Sequence, residues 1–248
     1  MHRLSYSHSN PPQFLALHKI SALKIKYFGH SAFLVETLGK LLLFDPFIKG
    51  NLLASEVDID LIRPDYILLT HGHGDHVGDT IEIAQRTGAP IISTYEVSTW
   101  LGSQGLKTFG LNAGGKIKLE FGTVKLVNAI HSSSMPDGSY GANPVGFVVW
   151  NEEVSFYVSG DTALTLDMKL IPMTCPKLDF AILCLGDIFT MGYEDAAMAA
   201  EFVGCSNIIG CHFDTFPPIQ VNHQEAISFF NSKGLRLTLP TINQEILL

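Results

Sequence analysis

The chain is poor in charge. Only 16% of its 248 residues are Asp, Glu, Lys or Arg, against about 25% in an ordinary globular protein. A highly charged disordered polymer is excluded, because 46% of the residues are hydrophobic and can fill a core. Basic residues are in the minority: 16 against 24 acidic ones, a formal net charge of -8. That balance disfavours nucleic acid as a partner, since phosphate backbones are held by Lys and Arg. Long apolar runs are missing too. None approaches the ~20 residues that span a bilayer, so no membrane segment is expected. Met1 to Ile20 lacks an apolar stretch leading to a small-residue cleavage site, and the cytoplasm is the expected location. The cysteines Cys175, Cys184, Cys205 and Cys211 form no CxxC pair, which excludes a zinc ribbon and a dithiol redox motif. Cys184 and Cys205 sit among apolar neighbours and read as buried thiols, in keeping with a reducing compartment.

The length suits one large domain or two small ones. No Pro/Gly/Ser linker divides the chain and no repeat stands out. Residues 1–22 carry no period of 2 or 3.6 and read as an N-terminal arm, loose or packed on a partner. Residues 23–248 read as a single domain. Strands are predicted over Leu23–Phe28, Ser31–Thr37 and Lys40–Phe44, an antiparallel start with a turn at Gly39. A buried strand over Tyr66–Leu69 follows a loop. Helices are predicted over Asp79–Thr87, stopped by Gly88, and over Thr94–Leu101 with Thr94 as cap. Further strands are expected at Pro90–Ile92, Thr108–Leu111, Lys116–Leu119 and Thr123–Ile130. A hairpin is expected over Val145–Trp150 and Val154–Val158. A short helix near Leu164–Leu170 precedes a strand over Phe180–Leu185. Then come a helix over Glu194–Val203, a strand over Asn207–Gly210, a helix over Asn222–Asn231 and a final strand over Leu235–Leu239. Many strands with interspersed helices and no strict βαβ rhythm point to an α+β arrangement of stacked sheets covered by helices.

The chemistry concentrates in Thr70-His71-Gly72-His73-Gly74-Asp75-His76, directly after the buried strand. Imidazole and carboxylate are ligands for zinc, iron and manganese. The glycines let the segment turn, so its side chains can reach two nearby positions. His131, Asp161 and His212 each follow an apolar strand in the same way. Alone, each of these three reads equally well as a loop residue or a cap. Side by side, their strand ends form one rim where ligands from distant parts of the chain can meet. His30, in the tight turn Gly29-His30-Ser31, can face the same site.

His71-x-His73-x-Asp75-His76 followed by His131, Asp161 and His212 resembles the ligand set of the metallo-β-lactamase superfamily. Gly29-His30-Ser31-Ala32-Phe33, Asp45-Pro46-Phe47, His131-Ser132-Ser133, Gly160-Asp161-Thr162 and Phe189-Thr190-Met191-Gly192 extend the likeness to predicted metal-dependent hydrolases related to bacterial L-ascorbate-6-phosphate lactonase. The resemblance covers about residues 23–240. It implies a four-layer αβ/βα sandwich of two mixed β-sheets with outer helices. It also implies two divalent ions, zinc first, with manganese and iron suited to the same donors. His71, His73 and His131 would hold the first ion and Asp75, His76 and His212 the second, with Asp161 bridging. Asp75 would also be the catalytic proton acceptor.

The function this implies is hydrolysis of a small-molecule ester, lactone or phosphodiester by a metal-activated water. The competing classes are an iron-binding redox or sensing protein and a non-catalytic, metal-stabilised interaction protein. Ser132, Ser133, Tyr140, Asn143 and Thr190 lie next to predicted ligands and are candidate substrate contacts. Lys49 and Arg63 could attract an anionic group. The N-terminal arm and apolar surface allow a homo-oligomer.

Overall fold

The computed structural model describes residues 23–248, so the arm predicted over 1–22 falls outside the described residues. Strands β1 (Lys24–Gly29), β2 (Ala32–Thr37) and β3 (Lys40–Phe44) form an antiparallel meander, with Lys26 opposite Leu34 and Leu34 opposite Leu43. Leu38 (φ 46°) and Gly39 (φ 69°) turn the chain between β2 and β3. Two successive left-handed residues match the twist of a tight hairpin. Strands β4 (Tyr66–Leu68), β5 (Ile91–Thr94) and β6 (Thr108–Leu111) then add in parallel beyond β3.

The second sheet is built the same way. Strands β7 (Lys116–Leu119), β8 (Gly122–Asn128), β9 (Val145–Trp150) and β10 (Ser155–Val158) are antiparallel neighbours. Strands β11 (Phe180–Cys184), β12 (Asn207–Cys211) and β13 (Arg236–Thr238) extend it in parallel. A last strand, β14 (Glu245–Leu247), returns to the first sheet and pairs antiparallel with β1. The strand orders are β14-β1-β2-β3-β4-β5-β6 and β13-β12-β11-β10-β9-β8-β7.

Alternation along the strands sets the layers. Leu42, Phe44, Leu68 and Ile92 point between the sheets and share a core with Phe147, Phe156 and Tyr157 of the second sheet. Leu43, Ile67 and Ile91 point the other way. There they meet Val77 of α1 (Gly74–Val77), Ile83 of α2 (Thr80–Thr87) and Val97 and Leu101 of α3 (Tyr95–Gly102). On the far side of the second sheet lie α4 (Ile171–Thr174), α5 (Tyr193–Val203) and α6 (His223–Ser232), which contribute Ile171, Ala196, Ala199, Ala200 and Phe230 to the main core. The result is a four-layer αβ/βα sandwich of two mixed sheets with outer helices. All four cysteines are free, and Cys184, Cys205 and Cys211 are buried. No described helix is long and apolar enough to cross a membrane.

Two local expectations are corrected, and one strand is added. Thr94 stands at the cap position of α3 but makes no capping bond, and its hydroxyl is buried without a partner. The helix expected over Leu164–Leu170 is a 3-10 turn over Leu166–Leu170 that passes into α4, where Pro172 occupies the first turn. Proline is favoured there because its missing N–H costs nothing. Strand β14 was not expected at all.

Candidate metal centre

Strands β8, β10, β11 and β12 run in one direction, so their C-terminal ends share one edge of the second sheet. The C-terminal end of β4 meets them from the first sheet. A backbone bond from the Val145 N–H to the Thr70 carbonyl, 3.1 Å, ties the two sheets at that rim. His71 leaves β4, His131 follows β8, Asp161 follows β10 and His212 follows β12. Past β4 the chain bends at Thr70 and Gly72, and His73 (φ -61°, ψ 148°) leads into α1. Asp75 and His76 therefore project from a helical turn, with the His76 ring 4.1 Å from that of His71.

All seven predicted ligands come together here. Their donor atoms fall into overlapping groups in which every atom lies within 4.8 Å of the others: His71, His73 and His131; His71, His76 and Asp161; and Asp75, His76 and His212, joined by His30. His71 Nε2 is 3.0 Å from His73 Nδ1. Asp161 Oδ2 stands between the groups, 2.9 Å from His212 Nε2, 3.3 Å from His76 Nε2 and 3.6 Å from His131 Nε2.

The donors suit divalent ions. His76 Nε2, Asp161 Oδ1 and His212 Nδ1 are buried with no hydrogen-bond partner. Unpaired buried polar atoms are costly, and imidazole nitrogens with carboxylate oxygens are the donors that zinc, manganese and iron accept. The clusters thus match a dinuclear divalent site.

Asp45 organises the donors from behind. Its Oδ1 accepts the Thr70 N–H at 2.9 Å, and its Oδ2 accepts the Thr70 hydroxyl at 2.7 Å. The same Oδ2 lies 2.9 Å from His76 Nδ1. Having given its proton to Asp45, Thr70 Oγ1 accepts from His71 Nδ1, 3.0 Å away. A carboxylate only accepts, so one buried aspartate assigns the Nδ1–H tautomer to both rings and leaves their Nε2 atoms facing the cluster. The sequence marked Asp45-Pro46 only as a strand end and a family motif. Its one signal was position, since it closes an apolar strand beside β4.

The charges divide accordingly. Burial, then His76, holds His71 well below the usual 6.5. Burial also lowers His73 and His131. These rings are neutral at pH 7 and keep a free lone pair. Burial opposes charge on His76 as well, but Asp161 and Asp45 outweigh it and raise this ring well above 6.5. Burial likewise works against Asp161, yet His76 and His212 hold it well below 3.8. Asp75 is the more open carboxylate, with 29% of its side chain exposed. Against its own burial, the His30 bond and the His76 field keep it ionised, below 3.8. Burial carries His30 down to about 4 despite the Asp75 bond.

The predicted substrate contacts are spread around the rim. Ser132 is exposed, its Oγ 3.5 Å from His73 Nε2. The Ser133 hydroxyl donates to the Gly141 carbonyl at 2.6 Å and accepts the Gly72 N–H at 3.0 Å, so it staples the ligand segment to its neighbouring loop. Tyr140 and Asn143 are exposed, with the Tyr140 hydroxyl 3.3 Å from Asn143 Oδ1. Thr190 donates to the Met191 carbonyl at 3.3 Å. The Met191 N–H bonds the Thr162 carbonyl at 3.0 Å, which brings this loop against the residue after Asp161. Lys49 is spent on an ion pair with Glu82 at 2.7 Å.

A family model described as "Metallo-beta-lactamase superfamily" matches residues 26–173. The chain belongs to the metallo-beta-lactamase superfamily. The matched span holds the superfamily chain from β1 through Asp161, and β12 adds His212 beyond it. Among curated proteins it is 50% identical over 224 residues to a "UPF0173 metal-dependent hydrolase" of Flavobacterium johnsoniae, covering 90% of this chain and 99% of that protein. A protein of the same description from Methylacidiphilum infernorum is 44% identical over 227 residues, covering 91% and 100%. A solved structure described as a novel metallo hydrolase from the hyperthermophilic archaeon Ignicoccus hospitalis superimposes with a TM-score of 0.83 at 31% identity, covering 92% of this chain and 99% of that one.

Proposed function

We propose that the protein is a metal-dependent hydrolase of a small-molecule ester, lactone or phosphodiester, working at a dinuclear centre. The observation that carries this reading is the placement of Asp161 Oδ2 between the two donor groups, 2.9 Å from His212 and 3.6 Å from His131. In this reading His71, His73 and His131 hold the first ion, Asp75, His76 and His212 the second, and Asp161 both. The ions would polarise the scissile carbonyl or phosphoryl oxygen and acidify the attacking water.

The chain's own groups do the rest. Asp45 keeps two imidazoles in register. Asp75, ionised and partly open to solvent, orients the nucleophile and accepts its proton. Ser132, Tyr140, Asn143 and Thr190 offer hydrogen bonds at the rim, and Ser133 fixes the loop that carries the first three. The nitrogen-rich donor set favours zinc. The similarity to metal-dependent hydrolases supports hydrolysis, and lactones and carboxylic esters come before phosphodiesters in a screen.

Metal analysis of protein purified without chelator tests the reading. About two ions per chain, lost in Asp161→Ala, are expected, together with turnover of a lactone, ester or phosphodiester that stops in the variant. An intact protein that takes up no ion after reconstitution would overturn it.

A further inference from the structure

His30 lies in the turn between β1 and β2, far in sequence from the histidine-rich segment, yet its ring is 1% exposed and sits inside the cluster. We propose that His30 is itself a ligand of the second ion position, which makes a four-residue set with Asp75, His76 and His212. This inference rests on the reading that the second position holds a divalent ion.

Three observations carry it. The first is convergence: the donor atoms of His30, Asp75, His76 and His212 all lie within 4.8 Å of one another, with His30 Nε2 3.2 Å from Asp75 Oδ2. The second is the outer nitrogen. His30 Nδ1 lies 3.0 Å from Thr215 Oγ1, and that hydroxyl reaches the Phe213 carbonyl at 3.3 Å. His71 shows the same construction, its Nδ1 3.0 Å from Thr70 Oγ1 and that hydroxyl passing on to Asp45. Ligating imidazoles characteristically donate the outer N–H in this way, which turns the inner lone pair toward the ion.

The third observation is rigidity. The ring meets Phe47 and Phe216 edge-on, each 5.6 Å away by ring centroids, and lies 4.1 Å from the ring of His212. The residue is held at φ 55°, a left-handed conformation that a side-chain-bearing residue rarely adopts. Its carbonyl accepts the His212 N–H at 2.9 Å. One strained turn thereby places its own ring and locks the backbone of a neighbouring ligand. The competing arrangement has Nε2–H donating to Asp75 and Nδ1 accepting from Thr215. The two arrangements differ in which nitrogen carries the proton.

Cobalt(II) loading of the full chain separates them. Hyperfine-shifted, exchangeable imidazole N–H resonances in the proton NMR spectrum report ligating histidines. His30→Gln should remove one such resonance and weaken uptake of the second cobalt at least about 10-fold, with the first unchanged. Thr215→Val, which leaves the imidazole in place, should speed solvent exchange of that same resonance alone. An unchanged set of shifted resonances in His30→Gln, or equal weakening of both ions, overturns the assignment. Wild-type protein that binds fewer than two cobalt ions per chain overturns the dinuclear reading itself, and the ligand assignment with it.

Discussion

The carboxylate of Asp45 and the imidazole of His76 form a buried pair 2.9 Å apart, with side chains 1% and 0% exposed. The other nitrogen of the same ring faces Asp161 at 3.3 Å. His76 is therefore gripped by two carboxylates, one on each side of the ring. Asp45 acts as the fixed partner and Asp161 as the one shared with the donor cluster.

Asp45→Asn keeps the shape of this anchor and removes its charge. One of the two acceptor oxygens that serve the Thr70 N–H, the Thr70 hydroxyl and His76 Nδ1 becomes an NH2 donor, and the orientation of His71 loosens with them. Metal affinity should fall about 10–100-fold, read by competition with a chromophoric chelator. Wild-type affinity in this variant would refute the organising role of Asp45.

His76 also predicts the pH dependence of metal uptake. Its pKa is raised above the ordinary 6.5 by Asp161 and Asp45, against the effect of burial. In the metal-free protein this pairing contributes stability that is complete below 6.5 and is lost as the pH rises through the raised folded value. An incoming ion must displace the proton from Nε2, so binding tightens with rising pH over the same window. Adding zinc at pH 7 in weak buffer should release about one proton per chain from this ring, followed with an indicator dye. Asp75 and Asp161 titrate below 3.8. Their contribution is present above 3.8 and disappears as acid carries the pH through their lowered values. Zinc binding without proton release at pH 7 would contradict the assignment of the proton to His76.

Gly160 predicts a stability defect at the rim. Its φ is 60°, and an added Cβ would meet the Thr70 Cβ and the Val145 carbonyl oxygen, both at 2.8 Å. Gly160→Ala forces a side chain into a left-handed residue at the point where the two sheets are tied. A cost of about 1–3 kcal/mol in urea unfolding is expected, with loss of bound metal because Asp161 is the next residue. A variant as stable as wild type would show that the rim relaxes freely.

Ser133 and Tyr140 should separate structural from direct effects in the rim loop. Ser133→Ala leaves the Gly72 N–H and the Gly141 carbonyl without their shared partner, at a cost of about 1–3 kcal/mol. Both stability and catalytic efficiency should drop. Tyr140→Phe removes an exposed hydroxyl whose bond to Asn143 is long, 3.3 Å. Stability should hold while efficiency on the true substrate changes several-fold. Unchanged efficiency in both variants would remove this loop from substrate binding.

The clustered donor residues stood out in the sequence because the histidine-rich segment, His131, Asp161 and His212 each follow an apolar strand. Strands of that kind become the interior of the sheets, and their ends become a rim. Asp45 was not legible as an organiser. Its role comes from Thr70, 25 residues on, and His76, 31 residues on, and local pattern carries no trace of such contacts. Strand β14 escaped because only Ile246 of its three residues is buried, too short for alternation to register. Its partner, β1, lies at the other end of the chain. The helix over Gly74–Val77 was hidden by its own glycine and by a length of four residues. The backbone at His30, Asp45 and His212 lies at positive φ, which His and Asp adopt more readily than most side-chain-bearing residues, but nothing local distinguishes these three from the chain's other His and Asp residues.

The donors sit on both sheets, and His71 and His212 are separated by more than half of the chain. During synthesis a ribosome would release the histidine-rich segment long before β12 exists. Of the proposed donors, a nascent chain at that stage offers His30, His71, His73, Asp75 and His76, but neither Asp161 to join the groups nor His212 to finish the second. Metal held prematurely by such a fragment would lack the shared oxygen. Faithful loading is therefore a late event, and ion occupancy doubles as a report that the whole sandwich has closed.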